Sequence, residues 1–176
     1  MSSEQREQLL ERITLANSSY YDIEKGHSFE GRTFPVFAEF HTSGEQYVLT
    51  KRAKLWEVNT HDYLFVLSEE SVDEDFIKEL YTFMTTKGLT KVQPGPNHMS
   101  SALSVMVLAD HISDAAMKMI HKAKFRKNYL LSFHGWTDLR LAAVDLSRDP
   151  KKQIVSNSMG KPLAEMLKSN LQLTDK

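Results

Sequence analysis

Seven histidines, at positions 27, 41, 61, 98, 111, 121 and 134, are the side chains of this 176-residue chain best suited to bind a metal or move a proton. Their spacing forms no ligand set, since no two lie four apart on a helix and no His-x-His falls on a strand. Glu39 and His41 are the best local pair, because side chains two apart on a strand point the same way. A solvated hairpin face is the simpler account of them. His134, beside Gly135 and Trp136, sits in a turn where glycine gives the backbone its geometry and the indole covers the core. His98, with Asn97 and Ser100, falls in a proline-rich loop, and loops on rigid scaffolds carry function. Glu39, His41, His98, His134 and Trp136 are therefore the ligand candidates.

None of these composes a catalytic set. No Gly-x-Ser-x-Gly surrounds a serine, and glycines at 26, 31, 44, 88, 95, 135 and 160 are too scattered for a dinucleotide or Walker loop. The lack of cysteine removes thiol catalysis, Cys-ligated zinc and iron–sulfur clusters. No metal and no cofactor is expected.

Charge points the same way. Twenty-two Lys and Arg against twenty-three Asp and Glu give a net charge of −1, so no global field favours nucleic acid or membrane. Two basic clusters stand out locally, Lys51, Arg52 and Lys54, and then Lys122, Lys124, Arg126 and Lys127. The second has a bland reason, since cations suit the end of a helix. Meeting on one surface, the two would contact phosphates in a salt-dependent way. The opening residues are polar, and no apolar run reaches the roughly 20 residues needed to cross a bilayer. A cytoplasmic protein without a membrane partner is the expectation.

The elements that must position these residues follow from periodicity. Leu9, Leu10, Ile13 and Ala16 predict a first helix. Phe34 to His41 alternates, and strands at 47–55 and 63–67 would complete an antiparallel meander. Phe37 and Pro35 lie opposite the apolar face of that first strand, leaving it to be covered by a helix or by a second copy of the chain. Ser71-Val72-Asp73-Glu74 reads as a capping box opening a helix with Phe76, Ile77, Leu80 and Met84 inward and Gly88 as its left-handed stop. A loop at 89–100, a buried strand at 103–109 and a helix capped by Ser113 follow. Strands at 129–133 and 139–146, a weaker one at 153–155, and a short helix from Pro162 complete the chain.

In this order the elements resemble the restriction-endonuclease-like core over roughly residues 3 to 125. The resemblance implies a divalent metal held by an Asp and a Glu-x-Lys element beside a phosphodiester. The strand that should carry Glu-x-Lys reads Tyr63-Leu64-Phe65-Val66-Leu67, and the motif is missing. The expected fold is α+β, a mixed, mainly antiparallel sheet of five or six strands with helices packed on it, in the order α-β-β-β-α-β-α-β-β as a single domain. The leading functional expectation is a non-catalytic domain that binds a partner or itself, a homodimer included. The alternatives are a nucleic-acid-binding protein with a degenerate nuclease-like core and an enzyme of unrecognised type.

Overall fold

The structure is a computed structural model and describes residues 2–42, 59–96 and 98–172. Helix α1 (Ser2–Asn17) leads into β1 (Asp22–Phe29), β2 (Arg32–Thr42) and β3 (Asn59–Val72). Then come α2 (Glu74–Thr86), a 3-10 turn (Lys87–Lys91), β4 (His98–Ile112), α3 (Asp114–Lys122), β5 (Arg126–Asn128) and β6 (Trp136–Asp145). Strand β7 (Ile154–Ser156) and α4 (Lys161–Gln172) close the chain. The fold is α+β, built on one mixed sheet.

Among the described residues the sheet has seven strands in the order β1-β2-β3-β4-β6-β5, with β7 also on β6. Strands β1, β2 and β3 form an antiparallel meander, β3, β4 and β6 run parallel, and β5 and β7 pair antiparallel to β6. The parallel strands are the near-continuous apolar runs, as strands buried on both faces must be. Phe65, Val105 and Leu141 face one way, into a core closed by Ile77 and Leu80 of α2 and Ile120 of α3. Leu64, Met106 and Val144 face the other way, into a core closed by Leu9 and Ile13 of α1 and Leu163 and Leu167 of α4.

Several expectations shift. The meander includes β1, a strand with no apolar alternation because most of its residues are exposed; the expected strand at 47–55 lies outside the described residues. Phe37 is buried in the core under α2, so the face on which a second copy could have settled is interior. Strand β3 runs through Val72, so Ser71 cannot cap α2, and Asp73 does so by accepting from the Phe76 N–H at 2.8 Å. Gly88 does not turn left-handed. It sits in the 3-10 turn, where a Cβ would press Met84 Cε at 3.2 Å. His98 opens β4 instead of lying in a loop. The segment 129–133 is not a strand: Leu130, Leu131 and Ser132 have φ of 45, 52 and 74°, and extended pairing is closed to such a backbone.

Candidate functional site

Strands β3, β4 and β6 all begin at one end of the sheet, and the ladder register lines up a row of polar residues there. His41 pairs with His61, His61 with Ser101, Ser101 with Thr137 and Thr137 with Lys127. The His61 ring stacks at 6.2 Å on Tyr63 and at 6.3 Å on His98. Glu39 pairs with Tyr63, whose hydroxyl is pushed up to about 12, first by burial and then by the Glu39 charge.

His98 is buried and holds two partners. Its Nδ1 lies 2.7 Å from the His134 carbonyl and its Nε2 2.8 Å from Ser101 Oγ. A carbonyl only accepts, so Nδ1 carries a proton, and Nε2 shares the second hydrogen bond with the Ser101 hydroxyl. The result is a serine, an imidazole and an orienting acceptor in line, but Ser101 is only 2% exposed.

What His98 grips is the turn between β5 and β6. Tyr129 N donates to Gly135 O and His134 N to Tyr129 O, while Phe133 N reaches back to Leu130 O and Gly135 N to Ser132 O, all at 2.9–3.1 Å. Tyr129 packs edge-on against His98 and places its hydroxyl 3.0 Å from Thr137 Oγ1. Gly135, at φ +79°, lies so close to β4 that a Cβ would overlap the Met99 carbonyl. At the tip of this anchored turn, Leu130, Leu131 and Phe133 are 65, 91 and 82% exposed. Left-handed backbone is costly for residues with a Cβ, roughly 1–2 kcal/mol each. Two leucines and a serine adopt it in succession here.

The base of the turn is cationic. Arg126 Nε and a terminal guanidinium nitrogen donate to Asp138 at 2.6 and 2.8 Å, and its charge stands 5.3 Å from the Trp136 ring. Trp136 Nε1 donates to the same carboxylate at 3.2 Å. Lys127 Nζ lies 5.7 Å from the Tyr129 ring centre. Lys122 and Lys124 border a cleft of about 560 Å³ between α2 and α3, floored by Ile77, Tyr81 and Met119.

Of the sequence candidates, His98, His134, Trp136, Arg126 and Lys127 thus meet around one turn. Glu39 lies three strands from β6, on β2 with the backbone of His41, and Lys51, Arg52 and Lys54 lie outside the described residues. Sequence reasoning missed Leu130, Leu131 and Phe133, because an apolar run beside a turn signal reads as a strand. It also missed His61, which strand pairing brings to His98, and Ser101, three residues on in β4, where the register shift opposite Asn59 and Thr60 lets it reach the His98 ring. Among the described residues no three His, Asp or Glu side chains stand together so as to hold a metal ion. No helix among them is long and apolar enough to cross a membrane.

The chain matches a family described as a domain of unknown function (DUF8052) over residues 5–169. It belongs to that family. No curated protein and no solved structure matches it. The family match spans both cores and the β5–β6 turn, and its description names no activity.

Proposed function

We propose that this chain is a non-catalytic docking domain and that the β5–β6 turn is its contact element. The observation that carries the reading is the exposed, left-handed apolar tip on a hydrogen-bonded base. Single exposed apolar residues are ordinary, but three large ones together are characteristic of interaction sites. Strained backbone also gathers where structure serves function rather than stability.

The test compares wild type with Leu130→Ser/Leu131→Ser/Phe133→Ser, in native extract and as purified protein. The two should melt alike, while the wild type alone elutes from extract above its 20.2 kDa monomer mass. The purified protein shows whether the partner is another copy. Identical elution of both chains in both settings would remove the reading.

One observation favours a second reading, an acyl-transfer enzyme. Ser101, His98 and the His134 carbonyl are placed as nucleophile, base and orienting acceptor. Labelling by a fluorophosphonate probe, abolished in Ser101→Ala, would support it; an unlabelled wild type would dismiss it.

A further inference from the structure

We infer that the surface met by the β5–β6 turn is an anionic lipid bilayer, entered by the three apolar tip residues while neighbouring cations meet the headgroups. This deepens the docking reading and rests on it. Charge complementarity is the first support. From residue 115 to 137 the chain has no acidic residue and carries Lys118, Lys122, Lys124, Arg126 and Lys127, in a protein whose net charge is −1. Asp138 offsets Arg126 and Asp114 faces Lys118, so five cations less two leave three for an outside anion.

The order of side chains along the hairpin is the second support. Leu130, Leu131 and Phe133 stand at the tip, Tyr129 and Trp136 follow on its two arms, and Arg126 and Lys127 come next on β5. Apolar groups in the acyl boundary, amphipathic aromatics at headgroup depth and cations outside them match the layering of a lipid interface. The turn also leaves from β5, the outermost strand on its side of the sheet. Because His98, Tyr129 and Gly135 already hold the turn, entry into lipid need not order it first. That no helix among the described residues can cross a membrane is no obstacle, since such docking enters one leaflet only.

The full chain is sedimented with sucrose-loaded vesicles of phosphatidylcholine alone and of phosphatidylcholine with phosphatidylserine. The expected result is retention on the anionic vesicles, falling as salt rises. Leu131→Ser and Phe133→Ser should each weaken retention about tenfold or more, the transfer of one large apolar side chain. Lys127→Gln should weaken it about fivefold. Leu131→Asn, which suits left-handed backbone, serves as a variant whose folding is secure. Absence of wild-type retention overturns the inference, and so does undiminished retention of Phe133→Ser, which would reveal charge attraction alone. If vesicles fail while the turn-dependent complex in extract persists, the lipid inference falls and docking to a protein stands. If both fail, both readings fall together.

Discussion

Asp145 shows how strictly single residues are accounted for in this fold. Its carboxylate is wholly buried and accepts from Ile112 N, Ser147 N, Ser147 Oγ and Arg148 Nε at 2.6–2.9 Å. Burial alone would raise its pKa, but the hydrogen bonds from Ser147, Ile112 and Arg148 outweigh it and hold the group below the usual carboxylate range. A carboxyl depressed in the folded state stabilises above its unfolded pKa, near 3.9, and loses that contribution as pH falls through the lower folded value. Asp145→Asn should therefore cost about 1–3 kcal/mol at neutral pH. Urea midpoints of both chains should converge as pH drops below about 4, and a pH-independent gap would contradict the charge's role. Gly135 makes a second case at this scale. Gly135→Ala adds a methyl into the Met99 carbonyl and 2.7 Å from the His98 carbonyl, so the turn must lift from β4. A loss of roughly 2–5 kcal/mol is expected by urea titration; an unchanged midpoint would mean that the close approach does not exist.

At the scale of elements, local stability and exposure pull in opposite directions at the β5–β6 turn. Leu131 is nearly fully exposed with φ of 52°, so its side chain gains little from the fold while its backbone is strained. Asparagine tolerates this conformation, and Leu131→Asn should raise stability by about 0.5–1 kcal/mol. A surface leucine in ordinary backbone would show nothing, and a lowered urea midpoint would refute the left-handed geometry. This turn also marks where reading the sequence stops. Helices were legible where periodicity and caps agree, as in α3, where Ser113 Oγ accepts from Ala116 N at 3.1 Å. Strands β4 and β6 were legible as apolar runs because both faces are covered. Strand β1 was not, since an edge strand with one buried residue carries no alternation. Tyr129 to Phe133 has strand composition, and only its contacts with Thr137 and the His98–His134 bond reveal a turn. His98 and His134 were legible as candidates by type. Their pairing across 36 residues was not, because register is a property of the folded sheet.

Across the whole molecule, the two ends of the parallel strands are finished differently. Open sheets of parallel strands usually take ligands beyond the strands' carboxyl ends. Here that end is filled by the chain itself. Arg6 of α1 ion-pairs with Asp110 and donates to Ser68 Oγ and to the Glu69 carbonyl at 2.9 Å, while Arg148 binds Asp145 and Asp114. The opposite end carries the exposed turn, so binding and closure are assigned to separate poles. From His98 to Asp110, β4 advances about 3.3 Å per residue, which puts roughly 40 Å between them. Changes at one pole should then leave the other untouched, as independent sites add. Arg6→Met keeps the stem packed on the sheet but leaves the half-buried Asp110 without its cation, at a cost of about 1–3 kcal/mol. Its urea midpoint should drop accordingly, while the folded protein binds through the turn as the wild type does. If Arg6→Met weakened turn-dependent binding under fully native conditions, the poles would be coupled through the sheet, and the filled end would have to be counted as part of the site.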